Sequence, residues 1–141
     1  MSKGAVPTAE TLITSAALPD FFPYLGMSVL EASSTQAVVR MDAPKGLLSP
    51  FGPVHGGAIA ALIDTSIGVA VAAHIAAHDR TATHALNINY IAFARQPVVI
   101  ATARVLRLGQ TVAHTEAEVR SEDGTLIAKS LGTFGILRRQ A

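Results

Sequence analysis

The sequence predicts an α+β domain in which one long apolar helix is wrapped by a strongly curved antiparallel sheet of about six strands. Three observations carry this. Ala58 to Ala77 is almost continuously apolar, with Asp64 its only acid. After Asp79-Arg80 the apolar residues recur at every second position, the period of half-buried strands. A helix apolar on nearly every side must be surrounded, and a curved sheet is the simplest cover available within one small domain. The 141 residues are a single-domain length, long enough to close a hydrophobic core.

Composition removes several classes of function. Half of the residues are hydrophobic and 15% are charged, which argues against disorder. Net charge is +1 and the longest basic run is Arg138-Arg139, so the electrostatic footprint of a nucleic-acid binder is absent. There is no cysteine, which excludes disulfides, thiolate metal sites and a cysteine nucleophile and fits a reducing, cytoplasmic setting. Met1 to Glu10 carries one lysine and no apolar core, unlike a secretory signal. The apolar window approaches a membrane span in length, but an aspartate near its middle costs about 2.5–3.5 kcal/mol in a bilayer. Its other residues are mostly Ala and Gly, so a core helix is expected and no membrane partner. Low charge with positive mean hydropathy also suggests that self-association hides part of the surface.

The elements follow in order. Ala9 to Ala17 reads as a short helix after Thr8, ended by Pro19, in an N-terminal arm (1–23) docked by Phe21-Phe22 onto a single domain (24–141). Met27 to Ala32 and Gln36 to Met41 form a strand pair through Ser33-Ser34. Three prolines and two glycines between Pro44 and Pro53 mark a long loop into the helix. Four strands are then expected at Thr83–Phe93, Val98–Arg107, Thr111–Arg120 and Thr125–Leu137, with Asp123-Gly124 as the last hairpin turn.

The helix carries the candidate chemistry. It starts at His55-Gly56-Gly57, directly after Pro53-Val54, so its first N–H groups are unobstructed by side chains and suit a carbonyl or anionic oxygen. Gly57, Ala60, Ala61, Asp64, Gly68 and Val71 fall on one face at the 3.6 period, which places the small residues and the acid together. N–H groups stabilise a developing oxyanion, and a carboxylate acts as general base or nucleophile. Both are what acyl transfer to water requires.

Val54-His55-Gly56-Gly57 with an acid seven residues after Gly57 resembles the hotdog-fold thioesterases of the PaaI and 4-hydroxybenzoyl-CoA thioesterase type. Leu86-Asn87-Ile88-Asn89-Tyr90 is similar to that family's long third strand, and Gly132-Thr133-Phe134 to its closing strand. The resemblance spans roughly 24–137. It implies a hotdog fold and hydrolysis of an acyl- or aryl-CoA thioester to a carboxylic acid and free coenzyme A. Asp64 would be the catalytic base or nucleophile, the Gly56 N–H would polarise the thioester carbonyl, and Thr83 would position the attacking water. Coenzyme A would lie against the turn Arg107-Leu108-Gly109-Gln110-Thr111-Val112, with Tyr90 and Arg95 as further contacts. Many relatives carry Asn or Gln six residues before the histidine, where this chain has Ser49, a shorter hydrogen-bonding side chain. The resemblance further implies no metal or redox cofactor, and a dimer paired through the third strands, with sites at the interface, assembling to a homotetramer.

Other readings compete. A hotdog hydratase or dehydratase would use a histidine beside the acid, which His55 keeps open. A non-catalytic acyl-CoA-binding module would need only the pocket. His74, His78 and Asp79 have metal-like spacing but no third ligand in view, and histidines at a helix C-terminus suit its dipole. His84 reads as a packed or interface residue. A triad from Ser49 or Ser66 with His55 and Asp64 lacks the nucleophile elbow, and Ser66 points to a different helix face from Asp64.

Overall fold

The computed structural model describes residues 21–139. The expected helix at Ala9 to Ala17 lies outside them. The described chain opens with one helical turn, α1 (Phe21–Tyr24), whose Phe22 packs against the core while Phe21 stays half exposed. The turn into the sheet needs Gly26 at φ +70°, where any side chain would run into the Asp42 carbonyl.

Six strands follow: β1 (Met27–Ala32), β2 (Ala37–Asp42), β3 (Arg80–Tyr90), β4 (Val98–Leu108), β5 (Val112–Ser121) and β6 (Leu126–Leu137). They form one antiparallel sheet in the order β1-β2-β4-β5-β6-β3. The long helix α2 (Gly56–Ala72) crosses its inner face. This is the hotdog architecture expected from the sequence.

Small residues on the sheet decide how closely the helix can lie. Ala37, Ala103 and Ala117 stand in register across β2, β4 and β5, and Val39, Ala101 and Val119 form the next row. All are buried, and onto this floor α2 packs Leu62, Ile63, Ile67 and Val71, each fully buried. The outward side of the helix remains half exposed at Ala60, Ala61, Asp64, Gly68 and Ala72. Val71 belongs to the buried side, not to the small-residue face where the 3.6 period placed it.

Three element ends differ from the sequence expectation by three residues or more: the end of α2 and both ends of β3, which stops at Tyr90 rather than Phe93. The helix stops at Ala72, because the His74 ring Nδ1 lies 2.8 Å from the Ala70 carbonyl oxygen and Ile75 turns into the core. β3 begins at Arg80, three residues before Thr83, since its ladder with β6 runs to Arg80 opposite Leu137. β3 is also an edge strand, and most of its residues are exposed on both faces.

Candidate active site

The start of α2 is held from several sides. The Val54 N–H donates to the Ala94 carbonyl at 2.9 Å and the His55 N–H to the Leu47 carbonyl at 2.8 Å. His55 is the N-cap: its extended backbone (φ −60°, ψ 137°) lets Nδ1 accept from the Gly57 N–H at 2.8 Å. The Ala58 N–H turns back to the His55 carbonyl at 2.9 Å. Of the first three N–H groups, the Gly56 N–H alone has no partner among the described residues. Tyr90 Oη donates to the Gly56 carbonyl at 2.8 Å, and its ring lies close over the bare Gly56 Cα. The N–H that the sequence singles out is thus the one left open.

Gly56 faces an apolar pocket of about 410 Å³ that includes Ser49, Val54, Ile59, Tyr90 and Phe93. Ser49 is on its wall, with Oγ accepting from the Phe51 N–H at 3.3 Å. Arg95 stacks on Phe93, its guanidinium carbon 5.6 Å from the ring centroid, at the rim of the same pocket.

Asp64 is half-buried on the open side of α2 and is held by β3: Thr83 Oγ1 donates to Asp64 Oδ1 at 2.6 Å. The two residues predicted to act together do touch, across 19 positions of sequence. They share a recess of about 320 Å³ with Phe22, Gly68, Val69 and Phe134. Neither phenylalanine carries a local signal of this role, because their placement comes from the packing of α1 and β6.

Asp64 lies about two turns along α2 from its N-terminus. Eight residues of helix separate it from Gly56, about 12 Å along the axis, and the two open into different recesses. Within one chain they cannot grip the same carbonyl.

The expected coenzyme A segment is a tight turn. The Gly109 N–H donates to the Val112 carbonyl at 2.8 Å, and the Ile136 N–H to the Thr111 carbonyl at 2.8 Å. Arg138 closes it, with Nε on the Gln110 carbonyl at 2.9 Å and Nη1 on Asp79 Oδ2 at 2.9 Å. Arg107 is exposed, at a bulge where β4 pairs with His114. The Arg139 N–H and then the Arg138 guanidinium hold the Asp79 carboxyl below its ordinary pKa. This Asp79–Arg138 contact was not foreseen from the sequence, for the two residues lie 59 positions apart.

His74, Ser66 and His84 are engaged elsewhere in the fold. His74 sets its ring nitrogens against the Ala70 and Ser34 carbonyls, at 2.8 and 3.0 Å, which ties the helix end to the β1–β2 turn and away from metal binding. Ser66 is buried and donates to the Ile63 carbonyl at 2.9 Å, so it forms no triad. His84 lays its ring over Gly135 of β6, a packing role as expected. No helix among the described residues is long and apolar enough to cross a membrane.

Comparison with known proteins agrees with this fold. The model of the thioesterase superfamily matches residues 51–128, from the loop before α2 into β6. A Saccharolobus solfataricus protein provisionally named an esterase is 32% identical over 117 residues, covering 83% of this chain and 83% of that protein. The 1,4-dihydroxy-2-naphthoyl-CoA hydrolase of Listeria monocytogenes is 22% identical over 116 residues, covering 82% of this chain and 94% of that enzyme. The crystal structure of the Haemophilus influenzae thioesterase HI1161 superposes with a TM-score of 0.84 at 22% identity, over 93% of this chain and 91% of that one, and shows the same fold. On the family match and the overlap with its Saccharolobus relative, this chain belongs to the thioesterase superfamily.

Proposed function

We propose that the protein hydrolyses an acyl-CoA thioester to a carboxylic acid and free coenzyme A. The observation that carries this is the pair of prepared groups: an unpartnered Gly56 N–H at a helix start, and an Asp64 carboxylate held by Thr83, in a chain of this superfamily. The Gly56 N–H receives the thioester carbonyl oxygen and stabilises the oxyanion. Asp64 either takes a proton from the water that attacks the carbonyl carbon, or attacks that carbon itself to form a mixed anhydride that water then hydrolyses. In both cases water supplies the oxygen of the acid and the proton for the leaving thiolate. The C–S bond breaks, and the departing thiolate takes up a proton. No metal or redox cofactor enters these steps.

The separation of about 12 Å between the two groups gives the proposal a quaternary part. Tyr90 holds Gly56 and Thr83 holds Asp64, and these two anchors lie seven residues apart on the free edge strand β3. Antiparallel pairing of two β3 strands about a centre between Leu86 and Asn87 sets Tyr90 of each chain opposite Thr83 of its partner. The site is then completed by Gly56 of one chain and Asp64 of the other, in a dimer.

A thiol-release screen of wild type and Asp64→Ala across aliphatic and aromatic acyl-CoAs tests this. Turnover by wild type that the variant loses is expected. Equal activity in both proteins would sink the mechanism, and acyl-CoA binding without turnover would identify a binding module instead. The hydratase reading loses ground because His55 Nδ1 is engaged as the helix cap.

A further inference from the structure

β3 holds one residue more than its partner strand can match. Its eleven residues, Arg80 to Tyr90, lie against Leu137 to Ala128 of β6, and the ladder slips between Thr83 and Ala85. His84 is the residue left over. Both ends of the strand are tied, so the excess cannot slide out. Asp79, just before the start, is held by the Arg138 guanidinium at 2.9 Å and the Arg139 N–H at 3.1 Å. At the other end Tyr90 Oη is bound to the Gly56 carbonyl at 2.8 Å. A bulge somewhere along β3 follows.

Where the bulge falls decides which way Thr83 points. Alternate residues of a regular strand share a face. Leu86 and Ile88 pack against the core and Tyr90 reaches Gly56, so a regular β3 would carry His84 on that inner face and Thr83 outside. The ladder shows the opposite. Thr81 stands across from Ile136 and Thr83 across from Phe134, both buried, and the two threonines line the recess that holds Asp64. The bulge thus exchanges His84 for Thr83 on the inner face, which lets Thr83 Oγ1 reach Asp64 Oδ1 at 2.6 Å. Re-aiming a side chain beside a site is a recurrent use of a bulge. Displaced toward Arg80, this one would turn Thr83 outward.

The ring of His84 marks the position. Gly135, between the inward Phe134 and Ile136, faces the outer side of β6. The His84 ring covers it so closely that an added methyl group would stand 2.6 Å from His84 Cε1. The φ of Gly135 is not positive, so its backbone does not call for glycine. What the missing side chain provides is room for the imidazole.

We propose that His84 is a positioning residue: seated on Gly135, its ring fixes the β3 bulge next to Thr83 and so aims the Thr83 hydroxyl at the Asp64 carboxylate. The proposal rests on the thioesterase reading and adds to it the device that orients the carboxylate. His84 faces away from Asp64 and acts through Thr83.

Two substitutions and a deletion test this. His84→Ala removes the ring, and Gly135→Val fills its seat with a residue that strands favour. Each lowers kcat for thiol release roughly tenfold with KM little changed, and neither lowers it further in a Thr83→Val background, since both act through that hydroxyl. Deleting His84 leaves β3 and β6 equal in length with Thr83 still inside, so the deletion in the Gly135→Val chain recovers most of the lost rate. A merely structural role gives additive losses and a deletion worse than either substitution. A kcat within twofold of wild type in either variant, additivity with Thr83→Val, or no recovery on deletion overturns the proposal. The nuclear Overhauser effect between the Thr83 methyl and the Phe134 ring reads the same placement without turnover. If wild type hydrolyses no acyl-CoA, an effect lost in both variants and regained on deletion still sustains the His84 seat, and only the hydrolytic reading fails. An effect absent from wild type, or retained in either variant, overturns the seat whatever Asp64 proves to do.

Discussion

Replacing Thr83 with valine removes one hydroxyl and keeps the shape of the side chain. That hydroxyl donates to Asp64 Oδ1 at 2.6 Å, a short bond to a carboxylate. Hydrogen bonds to charged groups contribute about 1.5–3 kcal/mol. Thr83 is exposed, so water replaces part of what is lost and the lower half of that range applies. With a tenfold change in rate for about 1.4 kcal/mol, Thr83→Val lowers kcat roughly ten- to thirtyfold through a misdirected carboxylate. KM changes little, because the bond orients the reacting group and does not hold the substrate. Stability falls by no more than about 1.5 kcal/mol, because solvation of the carboxylate and the strand preference of valine offset part of the lost bond. Steady-state thiol release, with thermal unfolding run in parallel, reads both quantities. Thr83→Ser keeps the donor and recovers most of the rate, and Thr83→Val in an Asp64→Asn background adds almost nothing, since the two residues act as a unit. Activity of Thr83→Val within twofold of wild type, or a serine variant as impaired as the valine one, would refute the argument.

Gly56→Pro is a sharper probe of the helix start. Gly56 is the first helical residue after an extended N-cap, where proline is well accommodated, so unfolding temperature is nearly preserved while the lost N–H lowers kcat by roughly 10²–10³; a proline variant with wild-type kcat would remove Gly56 from the mechanism. His55→Ala removes the acceptor of the Gly57 N–H and lowers stability by about 1 kcal/mol, readable in urea unfolding. Asp79 sets a pH dependence: its folded pKa lies below the ordinary value, so its contribution is present above about pH 4 and is lost as pH falls through the folded value. The stability gap between wild type and Asp79→Asn therefore narrows on acidification below about pH 4, and a gap constant across that range counts against the pair.

Local pattern made the elements legible and long-range contact decided their ends. All six strands were legible, most clearly β2, β4, β5 and β6, where alternate residues are buried beneath the helix. Alternation missed the start of β3, where the residues next to Asp79 are set by Arg138 and the β6 ladder. The helix was read five residues too long, since nothing in an alanine-rich run announces that His74 will turn to the Ala70 carbonyl and Ile75 to the core. At the site, the glycine start and the acid were visible as an uninterrupted spacing. Less legible was that two turns of helix, about 12 Å, keep these two groups of one chain from meeting on a single carbonyl. Tyr90, expected as a coenzyme A contact, secures the Gly56 carbonyl, a bond made across 34 positions of sequence.

The two borders of the sheet are unequal. β1 is six residues long and its ladder slips between Val29 and Glu31, whereas β3 runs for eleven residues. An open sheet that offers pairing groups at both borders can add copies without limit, which is the route to fibres. Here one border is short and the other long, so in the proposed dimer growth has a single direction and a two-fold contact exhausts it. Because Thr83 stands on the long border, the strand that would end polymerisation in that dimer is also the one that holds the carboxylate. Substitutions that blunt that edge against aggregation are therefore drawn from the residues the chemistry can least spare.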